Sequence, residues 1–171
     1  MNKNVYVALI FILTPMIVLS HIDWSKTDDG WLFNVDGRDV DFAGIIQEKW
    51  RKASTSCRSV TELEKSDSRH KDIRFLIQSY SPPDSTQITE IHVWNSGDWA
   101  VAEVEFEKLL PAVITLKAID KNPAIVEDAI WSGLTKPWVA GPFIRSYLSK
   151  SKNQAPRVLL DCFELQSKSF R

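Results

Sequence analysis

The chain is poor in the residues and patterns that announce chemistry. Its 171 residues hold two cysteines and three histidines. His21, His70 and His92 lie too far apart in sequence to suggest a zinc set. There is no Gly-rich phosphate loop, no G-x-S-x-G, no C-x-x-C and no H-E-x-x-H. Those absences remove the usual nucleotide-binding, serine-hydrolase, redox and metalloprotease readings, and they imply no cofactor. No strong charge of either sign is present. A formal net charge of −1 leaves no electrostatic footprint for nucleic acid. No uninterrupted apolar run reaches the roughly 20 residues of a full membrane span. No internal repeat is visible.

What is present begins at the N-terminus. Lys3 supplies a short positive start, and Val5 to Leu19 is apolar apart from Thr14 and Pro15. Val18 and Ser20 are small enough for cleavage after Ser20, so residues 1–20 read as a secretory signal peptide. The alternative is an uncleaved membrane anchor over residues 5–19. Removing Lys3 takes the net charge from −1 to about −2 for the mature part. Residues 21–171 then form one domain of ordinary globular composition, unusual only in seven tryptophans. In an oxidising compartment Cys57 and Cys162 read as a disulfide, tying the helical N-terminal half to the C-terminal tail. Closing a loop of about 100 residues stabilises by roughly 4 to 5 kcal/mol in the chain-entropy model.

Trp31 to Val35 reads as a short strand ended by the turn dipeptide Asp36-Gly37. Asp28, Asp29, Asp36, Asp39 and Asp41 do not match the spacing of a calcium loop and read as turn and cap residues, so no metal is expected. Phe42 to Ala53 reads as a helix capped by Asp41, with Phe42, Ile45, Ile46, Lys49, Trp50 and Ala53 at helical spacing. Ser59 and Glu62 have capping-box spacing, which predicts a further helical turn or two. Arg69 to Tyr80 is a second helix. Ile73, Leu76, Ile77 and Tyr80 share one face, and Arg69, His70, Lys71 and Arg74 the solvated other. Pro82-Pro83 stops it.

Ile88 to Trp131 alternates with period 2 and reads as a four-stranded antiparallel meander. Pairing Trp94 with Trp99 across Asn95-Ser96-Gly97-Asp98 gives one apolar face, with Ile91, Val93, Ala100, Ala102, Val104 and Phe106. The other face carries Glu90, His92, Trp94, Trp99, Val101, Glu103 and Glu105. A second turn centred on Leu110 sets Phe106 opposite Ile114 and Glu103 opposite Lys117. A third turn is Asp120-Lys121-Asn122-Pro123. The fourth strand, Ala124 to Trp131, has two registers, and either turns one carboxylate, Asp128 or Glu127, onto the apolar face. Pro142 then opens a short C-terminal helix to about Leu148. Val158, Leu159, Leu160 and Phe163 form a last apolar segment. The expected fold class is α+β, with N-terminal helices packed on the four-stranded meander and a short C-terminal helix.

Two constellations carry the functional expectations. A buried Asp128 or Glu127 would have a raised pKa and could serve as general acid or base. The outer face, with Trp94 and Trp99 beside His92, Glu103 and Glu105, has the composition of a protein-binding hot spot, unless the N-terminal or the C-terminal segment covers it. One or two helices followed by a four-strand meander, with Gly97-Asp98-Trp99-Ala100 at its first turn, resembles the cystatin-like and nuclear-transport-factor-like α+β superfamily over about Phe42 to Trp131. That resemblance implies a family holding both pocket enzymes and non-catalytic adaptors, with no motif that fixes function. The expected function is an exported, non-enzymatic binding or accessory protein that contacts another protein. The alternative is a small-molecule pocket protein or isomerase- or hydrolase-like enzyme using the acid of the fourth strand. Nucleic acid is not an expected partner, and a membrane is one only if the N-terminal segment stays uncleaved.

Overall fold

The computed structural model describes residues 21–119 and 122–170. The expected signal segment and the Asp120-Lys121 half of the third turn lie outside the described residues. The chain is α+β, but it holds two antiparallel sheets rather than one four-stranded meander. Strands β1 (Ile22–Thr27), β2 (Gly30–Val35) and β3 (Arg38–Val40) form a small sheet in that order. Helix α1 (Phe42–Ser54) follows, then the two-residue strand β4 (Thr61–Glu62) and helix α2 (Ser68–Tyr80). Strands β5 (Ile88–Ser96), β6 (Trp99–Phe106), β7 (Ala112–Ile119) and β8 (Asn122–Ser132) are the meander, which β4 extends to five strands. Helices α3 (Ala140–Leu148) and α4 (Arg157–Cys162) close the chain.

The faces of the meander fall as alternation predicts, although its registers do not. The first hairpin pairs Ser96 with Trp99, and Trp94 with Val101. Its turn is therefore the two residues Gly97 and Asp98, with Gly97 at φ 59° in the left-handed region. β7 slides further: Ala102 meets Ile114 and Val104 meets Ala112. Glu103 lies opposite Val113, and Lys117 lies opposite Trp99 instead. These slips, of two and four residues from the expected pairings, are even, so no side chain changes face. Ile91, Val93, Ala100, Ala102, Val104 and Leu116 form a buried cluster with Ile73 and Ile77 of α2.

The other face is buried too, which one-sided alternation did not predict. Trp94, Val101, Val113 and Ala129 pack against Ile144 and Leu148 of α3, Leu159 and Leu160 of α4, and Phe163 and Phe170 of the tail. The large sheet is thus the middle of three layers. Ser59 and Glu62 do not open a helix. Thr61 and Glu62 pair with Asn95 and Trp94 along the edge of β5. Two more residues on a free strand edge gain ladder hydrogen bonds, which outweigh a capping box with no apolar run behind it.

β8 uses both of its possible registers in turn. Leu116 pairs with Ile125, whereas Ile114 pairs with Ile130, and the irregularity lies between. Ile125 and Ile130 join the cluster under α2, while Val126 and Ala129 join the opposite one. Glu127 and Asp128 sit in the bulged stretch between them, and both are exposed. A bulge lets the strand change face without burying a charge. The expectation of an inward carboxylate on the apolar face is therefore corrected.

Helix α1 begins where its spacing predicts, capped by Asp41, whose Oδ1 accepts from Gly44 N at 2.7 Å. The other oxygen, Oδ2, accepts from Val139 N at 3.0 Å. A Cβ on Gly44 would stand 2.1 Å from that oxygen and 3.0 Å from Val139 Cβ. The glycine is thus needed for the approach of α1 to the start of α3, not a weak point of the helix. The helix does not pack on the large sheet; it lies against α3. Its apolar residues Phe42, Ile46 and Trp50 are exposed. On α2, Ile73 and Ile77 are buried as expected, but His70 is buried as well. Burial holds the His70 imidazole below its ordinary pKa.

Cys57 and Cys162 form a disulfide. It joins the segment after α1 to the last residue of α4 and so fastens the outer layer on the Trp94 side of the sheet.

Candidate functional site

The Trp94 face is occupied by the chain itself. Trp94 is 4% exposed, and its ring lies 6.0 Å from that of Phe163. Trp99 is half-buried beneath the ammonium of Lys117, at 5.0 Å. The carboxylates of this face grip the tail. Glu103 is 1% exposed and accepts from Gln166 N at 2.8 Å, Ser167 N at 3.0 Å and Ser167 Oγ at 2.5 Å. Glu105 accepts from Ser169 N at 3.0 Å, and its hydrogen bonds to Ser169 lower its pKa. Glu62 accepts from Gln166 Nε2 at 2.9 Å. Of the residues expected to bind a partner, Trp94 and Glu103 are core, and Trp99, His92 and Glu105 are half-covered. These residues share one face of the sheet, and the C-terminal segment covers it.

His92 shows how tightly this face is set. Nδ1 lies 2.9 Å from Glu62 and Nε2 lies 2.9 Å from Glu90. Two carboxylate neighbours require a proton on both ring nitrogens. Burial opposes that charge, but hydrogen bonds to Glu90 and Glu62 outweigh it and raise the pKa above its ordinary 6.5. Stability from this cluster is therefore complete below the ordinary value and is lost as pH rises through the elevated one. An NMR titration of His92 should give a midpoint above 6.5, falling in Glu62→Gln with Glu90→Gln. A wild-type midpoint at or below 6.5 would contradict the doubly bonded imidazolium.

Neither acid of the fourth strand has a site around it. Glu127 stands in solvent, and Asp128 accepts from Lys152 N at 2.8 Å, a bond that lowers its pKa. Neither has the apolar surround that general acid–base work at neutral pH requires. Arg145, which could have paired with such an acid, is used elsewhere.

That use marks an open cleft of about 710 Å³ between α1, α3 and α4. Its floor is an ion-pair cluster. Arg145 Nη1 donates to Glu48 at 2.6 Å, and Arg51 Nη2 donates to the other Glu48 oxygen at 2.6 Å. Arg51 also donates to the carbonyl of Asp161 at 2.6 Å and to Glu164. Arg145 Nη2 reaches the carbonyl of Phe163 at 2.9 Å. Burial works against the Glu48 charge, yet the two guanidiniums hold its carboxyl at about 2. Above this floor, Gln47, Ser146, Ser149 and Gln154 line the walls. Trp50, 72% exposed, and the exposed Arg157 stand at the rims. Sequence spacing placed Trp50 on the apolar stripe of its helix but gave no sign of the cleft. Glu48 and Arg145 are 97 residues apart, and Arg51 and Glu164 are 113 apart.

No family model, no curated protein and no solved structure matches this chain. Among the described residues no helix is long and apolar enough to cross a membrane.

Proposed function

We propose that this is an exported, non-catalytic binding protein that holds a segment of another protein in the α1–α3–α4 cleft. The observation that carries this reading is the state of the cleft's charges. Glu48, Arg51, Arg145 and Glu164 neutralise one another, and Glu48 titrates far too low to move protons near neutrality. What surrounds them is suited to contact rather than reaction: an exposed indole, an exposed guanidinium 3.5 Å from Asp161, and amides and hydroxyls along the walls. Trp and Arg are the residue types that dominate binding energy at protein interfaces. A floor fixed by ion pairs also limits the ordering cost of association. The Cys57–Cys162 disulfide fits an extracellular compartment. Replacing Trp50 and Arg157 together with alanine should weaken retention of the native partner by about tenfold or more. Both side chains are exposed, so the fold should be unaffected. Undiminished retention by the double variant would remove the cleft from the binding surface.

A further inference from the structure

The small sheet is turned the wrong way out for a protein that meets only water. Strand register places Ile22, Trp24, Trp31, Phe33, Val35 and Val40 on one face. The reverse face carries Asp23, Ser25, Thr27, Asn34 and Asp39, with Leu32 among them. Leu32 is 1% exposed, whereas Trp24 and Trp31 are 61% and 56% exposed. On the reverse face Leu32 and Gly30, beside Trp138, meet the body while Asp23 and Asp39 stay exposed; the apolar face carries the two exposed indoles. The only charged residues on the outward face are Lys26 and Arg38; the acids lie on the reverse or in turns. Phe33 continues the surface onto α1 through Phe42, with ring centroids 5.1 Å apart, and Ile46 extends it. Helix α1 is inverted in the same sense, its Glu48 and Arg51 turned inward to the ion-pair cluster.

We infer that this face docks on a lipid bilayer, with its indoles at headgroup depth and Lys26 and Arg38 on anionic headgroups. Two features select a bilayer. Exposed Trp with cations and without acids is the composition of an interfacial anchor. In addition, the uncharged apolar run Val5 to Leu19 ends three residues before Ile22, a reach of about 10 Å. Read as the expected signal segment, that run would bring the chain to a membrane during export. The inference is independent of the cleft.

The test is tryptophan quenching of the full chain in phosphatidylcholine–phosphatidylglycerol vesicles with brominated acyl chains. Residues 1–20 contain no tryptophan, but Trp24 follows Ser20 by only four residues, so quenching that persists undiminished in Lys26→Glu with Arg38→Glu and at high salt would mark a tether by that segment and overturn docking of the face. Trp24 and Trp31 are two of seven tryptophans, and about one quarter of the emission should be lost. Trp24→Ser with Trp31→Ser should abolish the loss. Lys26→Glu with Arg38→Glu should reduce it, and the wild-type loss should shrink as salt is added. Vesicle-bound wild type without quenching would overturn the inference, whether the face then proves to meet a protein or a second copy. Quenching unchanged in the Trp24/Trp31 variant would overturn it equally. Any of these failures would leave partner retention through Trp50 and Arg157 standing.

Discussion

Replacing Cys57 and Cys162 together with serine should destabilise the fold by about 4 to 5 kcal/mol. The two residues are 105 apart in sequence, and a cross-link over so long a loop removes much of the entropy of the unfolded chain. The consequence should be local as well as global. The disulfide holds the end of α4, and Leu159, Leu160 and Phe163 around it cover Trp94. Denaturant unfolding with and without the cross-link should show a shifted midpoint. Amide exchange should show α4 and residues 163–170 opening at lower free energy than the meander. A difference below about 1 kcal/mol would mean that packing alone holds this layer.

Glu103→Ala should cost about 3 kcal/mol or more, the second largest expected effect. The side chain is fully buried and accepts three hydrogen bonds from Gln166 and Ser167. Truncation removes all three and leaves two backbone donors and a hydroxyl without an acceptor in a low-dielectric layer. Each such loss costs about 1 to 3 kcal/mol, and the terms are not additive. Glu103→Gln keeps the size and part of the acceptor capacity and should cost less. Chemical denaturation gives the magnitude, and exchange at the Gln166 and Ser167 amides localises it. Unchanged exchange at those amides in Glu103→Ala would show that the carboxylate does not hold the tail.

Local patterns in this sequence were legible where their physics is local. Strand alternation assigned the faces of β5 to β7 correctly despite wrong turn lengths, because slips of two and four residues preserve the face. The helix expected over Phe42 to Ala53 followed from spacing and the Asp41 cap, and ends one residue later. The disulfide followed from the count of cysteines. What failed depends on distant partners. The outward turn of Phe42, Ile46 and Trp50 is set by Glu48 and Arg51, whose partners Arg145 and Glu164 lie about 100 residues on. β4 exists only because β5 offers a free edge. The bulge in β8 could not be read from Val126 to Ala129, since both registers look equally apolar and the fold uses each in turn. Covering of the Trp94 face was an alternative that only the position of the tail could decide. Of the small sheet only the strand at Trp31 to Val35 was legible; β1 and β3, which pair with it, were not, and alternation cannot tell which side is outside.

The cleft is tested most directly by placing a photo-reactive residue at Gln154, within its wall, and irradiating cells that export the full chain. Ser79, exposed on α2 and outside the cleft, serves as the control position. The expected result is one discrete protein adduct from position 154, lost when Trp50→Ala and Arg157→Ala are added, and none from position 79. No adduct from position 154, or an adduct that survives both substitutions, would contradict a protein partner held in the cleft.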